Sequence, residues 1–204
     1  MPHVPQGETA SLPFLTFREA LEAESRASIA GWRYVPPVYD EYRYLLGTVG
    51  AKPLICIGIN PSTAAPNALD NTLKSVERIA RFNGFDSFLM LNLYAQRATS
   101  PDQMDRAFNE RLHQENLAAL SHALSCAAAR PTVWAAWGAI IEKRPYLARC
   151  ARDFARLSRA FDARFVRAGR LSKAGHPHHP LYLTKDAPLE PFDISRYLAS
   201  LKEA

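Results

Sequence analysis

An amide, a proline and a hydroxyl end the apolar run of residues 53–59, which is an unusual way for a buried strand to finish. Asn60 offers both a hydrogen-bond donor and an acceptor, and Pro61 fixes the backbone without contributing an N–H. A turn of this kind presents Asn60 and the hydroxyls of Ser62 and Thr63 to a ligand. The alternative is a turn in which Asn60 bonds only its own backbone.

A second amide, Asn92, interrupts the apolar run of residues 87–95. A polar side chain inside such a run costs the fold about 1–3 kcal/mol unless it is hydrogen-bonded. It is either a structural residue that holds a neighbouring loop or a ligand-binding residue that reads a planar amide edge, such as that of a nucleobase. In the second interpretation Tyr94 supplies a stacking face, with packing in the core as the alternative for this ring.

Three histidines, His176, His178 and His179, lie in the proline-containing stretch 175–183. Two prolines and the lack of an obvious carboxylate partner argue against a metal site, so we expect no metal. One histidine that acts as a hydrogen-bond donor or general acid is the functional interpretation, and a solvated loop is the alternative. The sequence has no dinucleotide-binding glycine motif and no P-loop, so we also expect no cofactor.

A stripe of arginines lies on one face of the helix that is predicted for residues 145–161. Its members recur at steps of three and four residues, which is the spacing of neighbours on a helix surface. Such a stripe is either a solvated face or a surface that binds the phosphate backbone of a nucleic acid. The net charge of +5 also favours an anionic partner, such as a nucleic acid or a nucleotide. This arginine stripe consists of Arg149, Arg152, Arg156 and Arg159.

The order of the predicted elements determines where these residues meet. Short apolar stretches that predict buried strands alternate with amphipathic stretches that predict helices, which is the pattern of a doubly wound α/β protein. The ligand site of such a sheet lies beyond the carboxyl ends of its strands, and the three polar segments all follow predicted strands. The predicted strands are residues 42–49, 53–59, 87–95, 131–138 and 164–169, and the predicted helices are residues 17–30, 72–83 with Asp70 as cap, 113–129, 145–161 and 193–201.

The composition limits the class of protein. With 204 residues, 48% of them hydrophobic, we assign residues 41–204 to a single α/β domain and residues 1–40 to an N-terminal arm with a short helix. Neither a signal peptide nor a membrane-spanning stretch is evident, and the three cysteines form no disulfide or metal pattern. We therefore expect a cytoplasmic protein without a membrane or an obligate protein partner.

Six motifs occur in a fixed order between residues 42 and 183, namely RYLL, GINPSTA, DNT, MLNLYAQRATSP, WAAWG and HPLYL. In this combination the chain resembles the DUF1643 family of bacterial and phage proteins, a family without an assigned function. Three segments are also similar, more distantly, to the uracil-DNA glycosylase superfamily. GINPS resembles its first motif, the apolar run ending in Asn92 resembles its second strand, and HPHHPL resembles its closing histidine loop.

The second resemblance implies a fold and a set of roles. The implied fold is a three-layer α/β/α sandwich around a short, mostly parallel sheet. Asn60 would orient an attacking water, Asn92 would read the edge of a flipped base, and a histidine of the last loop would donate a hydrogen bond to the departing base. Of the candidates His176 and His179 we prefer His179, because it belongs to the HPLYL motif.

The same resemblance implies roles for three further residues. Leu181 would be the apolar wedge that fills the space left by a flipped base. Arg97 would contact the substrate, and Asp70 would either supply a catalytic carboxylate or only cap a helix. The arginine stripe would contact the phosphate backbone.

Taken together, the residues and the resemblance predict a glycosylase-like protein that binds a modified or mismatched nucleobase in DNA and hydrolyses its N-glycosidic bond. Two alternatives share the same pocket. One is a non-catalytic module that binds a nucleotide or modified nucleic acid. The other is a hydrolase of free nucleosides or nucleotides, which would not need the arginine stripe.

Overall fold

The structure is a computed structural model that describes residues 14–127 and 130–201. Within these residues, seven strands form one sheet and five α-helices pack against it. The strands are β1 (Trp32–Val35), β2 (Leu45–Thr48), β3 (Pro53–Gly58), β4 (Ser87–Asn92), β5 (Thr132–Ala135), β6 (Arg164–Ala168) and β7 (Leu189–Pro191). The helices are α1 (Phe17–Arg26), α2 (Asn71–Phe82), α3 (Glu110–Cys126), α4 (Pro145–Arg159) and α5 (Ile194–Ser200).

The sheet is mixed, with the strand order β1-β2-β4-β3-β5-β6-β7. The four central strands β4, β3, β5 and β6 pair in parallel. β1 pairs with β2, β2 with β4 and β7 with β6 in antiparallel orientation. The prediction of a mostly parallel sheet therefore needs correction, because antiparallel strands extend the parallel centre at both edges and make up half of the pairings.

The sequence pattern does not predict β1 or β7, the two outermost strands. β1 is four residues long, directly precedes two prolines and lies within residues 1–40, the stretch assigned to an arm. β7 has three residues and ends at Pro191. Strands this short show no usable alternation, and proline is a residue that sheets accept only at their edges.

The helices cover both faces of the sheet. On one face Leu73 and Val76 of α2 pack against Leu54 and Cys56 of β3. The other face is covered by α1, α3, α4 and α5, which pack against the alternate residues of the strands, such as Ile55. Because successive side chains of a strand point to opposite faces, a strand covered on both sides is apolar throughout, as β3 is.

Capping residues set the starts of the helices. Asp70 accepts a hydrogen bond of 2.9 Å from the N–H of Leu73 and caps α2, as predicted. Asp193 caps α5 in the same way. α3 begins at Glu110, three residues before its predicted start, and its predicted end at Ala129 lies outside the described residues. None of the helices in the described part of the chain is both long and apolar enough to cross a membrane.

Gly47 of β2 lies directly against the backbone of β4. A Cβ at this position would be 2.1 Å from the carbonyl oxygen of Phe88 and 2.9 Å from the Cα of Leu89. Because these are backbone atoms, the pairing of β2 with β4 must shift before any side chain fits. We expect Gly47→Ala to lower the free energy of unfolding by about 1–3 kcal/mol, as overpacking does. Urea denaturation measures this change.

The control for this prediction is Val49→Ala, one residue beyond the end of β2 at an exposed position. Exposed substitutions of this kind change the free energy of unfolding by less than about 0.5 kcal/mol. Equal effects of the two substitutions would contradict the close approach of β2 and β4.

Candidate functional site

After β3 the chain continues on one face of the sheet, and after β4 it continues on the other. A cavity lies between these two paths, at the carboxyl ends of the parallel strands. α2, which follows β3, packs on one face, whereas α3, which follows β4, packs on the other. Such a crevice is where open α/β sheets bind ligands. The cavity has a volume of about 380 Å³. Its walls include Arg43, Gly58, Asn60, Ser62, Asp70, Asn71, Thr72, Met90, Asn92, Ala98, Thr99, Ile140, His179, Leu181 and Tyr182.

Several of the residues predicted from the sequence meet in this cavity, although they come from three distant parts of the chain. They do so because the parallel strands β3 and β4 end at the same edge and the loop after β6 returns to it. The residues that line the cavity are Asn60, Ser62, Asp70, Asn92, His179 and Leu181. Those outside its walls are Thr63, Tyr94, Arg97, His176 and the four members of the arginine stripe.

Asn60 is held through its amide nitrogen. Nδ2 donates to the carbonyl oxygens of Pro61, at 3.0 Å, and Ala98, at 2.8 Å. Only the NH₂ end of the amide can donate to a carbonyl, so these two bonds determine which end is the nitrogen. Oδ1 makes no hydrogen bond with the described residues. It is therefore an acceptor for a water or a hydroxyl in the cavity.

Asn92 is the last residue of β4 and is 1% exposed. Neither its Nδ2 nor its Oδ1 has a hydrogen-bond partner within the described residues. Parallel pairing places Asn92 beside Gly58, where a Cβ would lie 2.8 Å from Oδ1. The glycine therefore makes the space for the amide. Buried polar groups are nearly always hydrogen-bonded, so this amide is suited to a ligand that offers a donor beside an acceptor.

Asn116 of α3 fixes the backbone next to this amide. Its Nδ2 donates to the carbonyl oxygens of Asn92, at 2.8 Å, and Leu93, at 3.2 Å. Asn116 is not among the residues predicted from the sequence, although its position in the sequence indicates a buried polar side chain. Asn116 lies four residues from both Leu112 and Leu120, on the apolar face of α3, where a polar side chain needs an internal partner.

His179 is arranged as a hydrogen-bond donor. Its Nδ1 accepts a hydrogen bond of 3.4 Å from the N–H of Leu181, so the neutral ring has its proton on Nε2. Burial lowers the pKa of His179 below its ordinary value of 6.5, and the carboxylate of Asp70 opposes this shift. At neutral pH the ring is therefore uncharged and has an Nε2–H to donate.

Asp70 lines the cavity and also caps α2. Its Oδ1 accepts the hydrogen bond from Leu73, and its Oδ2 makes no hydrogen bond with the described residues. The carboxylate attracts the charges of both His179 and Arg43. The two roles that the sequence allowed for Asp70 are therefore compatible, because the cap uses only one of its oxygens.

Arg43 is a lining residue that the sequence analysis does not identify. It lies just before β2, and because β2 runs antiparallel to β4, the start of β2 meets the end of β4. The residue is 2% exposed, its Nη1 donates to the carbonyl of Ala64 at 3.0 Å, and its Nε has no partner in the part of the chain that the structure describes. Burial and the neighbouring Arg97 lower the pKa of Arg43 to about 9, which leaves it charged at neutral pH.

Arg97 holds the turn that Asn60, Pro61 and Ser62 form. Its Nη1 donates to the carbonyl of Ser62 and its Nη2 to the hydroxyl of Tyr34, at 3.0 Å. The guanidinium lies 4.2 Å from the centre of the Tyr39 ring. Arg97 is therefore a positioning residue for the turn, since none of its groups lines the cavity.

Tyr94 and His176 lie in the core. The Tyr94 ring is fully buried beside Tyr146, and its hydroxyl donates to Asp105 at 3.2 Å. Nδ1 of His176 bonds the hydroxyl of Tyr197 at 2.9 Å. Packing accounts for both positions, and His179 is the histidine of the pair that reaches the cavity.

Leu181 and Tyr182 expose apolar surface at the rim of the cavity. They are 48% and 79% exposed, and both line it. They belong to a short 3-10 turn, Pro180–Tyr182, whose first residue is buried.

The arginine stripe lies on α4 and is partly neutralised by acids. Arg149 pairs with Glu110 at 2.7 Å, and Arg156 pairs with Asp153 at 2.8 Å. Asp153 also lies 3.8 Å from Arg149. These pairs reduce the mutual repulsion that an anionic partner was expected to relieve.

A second cavity, of about 450 Å³, lies between α4 and α5. Arg152 and Arg159 of the stripe line it and donate to the carbonyl of Leu201, at 3.1 Å, and the hydroxyl of Ser195, at 2.9 Å. The other lining residues are small or aliphatic, so this cavity offers little chemistry. In residues 14–127 and 130–201, no three side chains of His, Cys, Asp or Glu group together as a metal site requires.

The unpartnered amide of Asn92 leads to a prediction about stability. We expect Asn92→Leu to raise the free energy of unfolding by about 1–3 kcal/mol, because the substitution removes two buried polar atoms that have no hydrogen-bond partner within the described residues. Asn116→Leu is the matched control, since Nδ2 of this equally buried asparagine makes two hydrogen bonds, although its Oδ1 makes none with the described residues, and the loss of those two bonds should lower the free energy by a similar amount. Urea denaturation measures both, and a destabilised Asn92→Leu would mean that Asn92 is a structural residue.

The environment of His179 leads to a prediction about pH. NMR titration of its ring should give a pKa below 6.5, and Asp70→Asn should lower that pKa further, because the attraction of the carboxylate is lost. Since the unfolded chain takes up this proton at higher pH, the contribution of His179 to stability is complete above about pH 6.5 and is lost as the pH falls towards its folded pKa. Asp193→Asn, at the cap of α5, is the control and should leave the titration of His179 unchanged.

Comparison with known proteins gives one family. No curated protein and no solved structure matches the chain. The model of a family described as "Protein of unknown function (DUF1643)" matches residues 43–181, which is more than half of the chain. The matched segment contains Arg43, Asn60, Asn92 and His179, all of which line the cavity. The chain belongs to the DUF1643 family.

Proposed function

We propose that the cavity binds a nucleobase and that the residues around it hydrolyse the N-glycosidic bond of a modified or mismatched base in DNA. The observation that supports this most is the buried amide of Asn92, which lines the same cavity as Asn60 and His179 and whose two polar atoms have no partner among residues 14–127 and 130–201. The edge of a nucleobase offers a donor beside an acceptor and pairs with both atoms of an asparagine amide.

The side chains match the requirements of N-glycoside hydrolysis. The bond between the base nitrogen and the sugar C1′ breaks with its electron pair on the base, and a water oxygen forms the new bond to C1′. Oδ1 of Asn60 accepts a hydrogen bond from this water and orients it, and the carboxylate of Asp70 takes the proton that the water loses. Nε2–H of His179 stabilises the negative charge that develops on the base. Solvent then protonates the released base.

The rim of the cavity supports a base that is attached to DNA. Such a base must leave the stack before it enters a protein cavity, and an apolar side chain commonly fills the space it vacates. Leu181 lies exposed at the rim, where this role requires it. Arg152 and Arg159 bond neutral oxygens, but they line the cavity between α4 and α5 and not this rim, so they add no phosphate contact beside Leu181.

The proposal includes the finer resemblance to the uracil-DNA glycosylase superfamily. Support comes from the order of the three motifs and from the four parallel strands at the centre of the sheet. Further support comes from the helices on both faces and from the meeting of all three motifs at one cavity.

A hydrolase of free nucleosides or nucleotides is the second candidate. It is favoured by the pairing of Arg149 and Arg156 with acids, which weakens the case for a surface that binds a DNA backbone. A module that binds the same ligands without hydrolysis would use the same pocket. The three cases differ in substrate and in turnover, so one set of assays separates them.

The test uses DNA oligomers that each contain one modified or mismatched base, together with the corresponding free nucleosides. We expect base release from DNA, detected as alkali-labile sites and as free base by chromatography. Asn60→Ala and His179→Gln should each slow release about 100-fold or more, because each removes an interaction made in the transition state. Asp70→Asn keeps a good cap for α2 but cannot take up the proton, so release should also slow.

His178→Gln is the matched control, because this histidine belongs to the same loop and does not line the cavity. It should release base at the wild-type rate. Absence of release from every oligomer and nucleoside, or equal rates for Asn60→Ala and the wild type, would exclude hydrolysis. Release from nucleosides alone would select the second candidate, and binding without release would select the module.

A further inference from the structure

Two buried guanidinium groups lie beside the cavity, and no carboxylate of the described residues is in contact with either of them. Arg43 lines the cavity, and Arg97 lies under the adjoining turn. The hydrogen bonds that they make with the described residues go to the carbonyl oxygens of Ser62 and Ala64 and to the hydroxyl of Tyr34. A buried charge without a counter-charge is unfavourable, so an anion is the group that this part of the cavity lacks.

Asp70 does not balance the two arginines. Its attraction acts on Arg43, but its carboxylate forms no ion pair with that residue, and its Oδ1 is engaged by the N–H of Leu73. Asp40 attracts the charge of Arg97 in the same way, but among the described residues neither carboxylate forms an ion pair with Arg43 or Arg97. A ligand with a negative group would supply the contact that Arg43 lacks.

The N-terminus of α2 adds backbone donors to the same wall. α2 has 12 residues, and its first two, Asn71 and Thr72, line the cavity. The first N–H groups of a helix have no partner within the helix, and the side chain of Asp70 accepts only from Leu73. Helix N-termini bind anions through these N–H groups and through the helix dipole. Among the described residues the buried Nε of Arg43 has no hydrogen-bond partner, as is also true of Arg97, and of these two residues only Arg43 lines the cavity.

We propose that Arg43 and the first turn of α2 bind a phosphate group, so that the ligand of the cavity is a nucleotide whose base is read by Asn92. The inference rests on the function proposed above and specifies that the ligand is phosphorylated. Arg43 uses Nη1 for Ala64 and keeps Nε and Nη2 for the ligand, and this side of a guanidinium matches two oxygens of a phosphate. The phosphate belongs either to a free mononucleotide or to a nucleic-acid strand.

The first part of the test needs no variant and therefore does not depend on how a mutant folds. ¹⁵N-labelled wild-type protein is titrated with inorganic phosphate, and sodium chloride of equal ionic strength is the control. We expect phosphate alone to shift the N–H signals of Asn71 and Thr72 and the Nε–H signal of Arg43. Unchanged signals at all three positions would overturn the proposal.

The second part compares nucleosides, their 5′-monophosphates and short oligonucleotides by calorimetry. A monophosphate should bind about tenfold tighter than its nucleoside or better, and Arg43→Gln should abolish this difference, because one charge-assisted pair is lost. Arg81→Gln, at an exposed position near the other end of α2, is the control and should keep the difference. An Arg43-dependent gain for oligonucleotides but not for mononucleotides would assign the phosphate to a strand.

Two results would contradict the inference in different ways. Equal binding of nucleosides and monophosphates by the wild type would overturn the phosphate site and leave the nucleobase function standing. Binding of neither would overturn both. A phosphate-dependent gain that persists in Arg43→Gln would also overturn the role of Arg43.

Discussion

The parallel pairing of β3 with β4 is the interaction on which the candidate site depends. It sets Gly58 beside Asn92, and the missing side chain of the glycine gives the space that the amide occupies. The same pairing brings the turn at Asn60 next to Ala98, whose carbonyl accepts the hydrogen bond that orients the Asn60 amide. A shift of one residue in this register would turn Asn92 to the opposite face of the sheet. The site is therefore a consequence of strand register, and the rigid centre of the sheet, rather than a mobile loop, sets the distance between the two amides.

Two buried arginines are the second constraint on the site. They hold the segment that follows Asn60, and one of them also places a positive charge at the cavity. Arg43 and Arg97 donate to the carbonyls of Ala64 and Ser62, so charge-assisted hydrogen bonds fix the segment that presents Asn60. Neutral donors could hold these carbonyls without the desolvation penalty of two charges. The choice of a guanidinium is explained at Arg43 if the charge itself has a use, which is to contact an anion in the cavity while Nη1 holds the carbonyl of Ala64.

Local periodicity and the geometry of parallel strands made much of the site predictable. The cap at Asp70 and the meeting of Asn60, Asn92 and His179 follow from them. The position of Arg43 does not, because it depends on antiparallel pairing of β2 with β4, a long-range contact without a local signal. For Tyr94 the sequence left a stacking face and packing in the core open. The ring packs in the core, because β4 ends at Asn92 and the alternation of side chains stops before it reaches the tyrosine. The short edge strands were missed because three or four residues beside prolines show no alternation.

Unpaired polar groups at Asn92 and Arg43 have two explanations, a ligand site or loose packing. A comparison of each residue with a nearby residue of the same type favours the ligand site. Among the described residues, Nδ2 of Asn116 makes two hydrogen bonds and its Oδ1 makes none, whereas neither polar atom of the equally buried Asn92 makes one. Arg97 engages both of its terminal nitrogens, whereas Arg43 engages one. In each pair the less satisfied residue is the one that lines the cavity. A ligand that pairs with an amide and a guanidinium would therefore stabilise the folded protein in proportion to its affinity, because it supplies the bonds that the fold leaves unmade at these two positions.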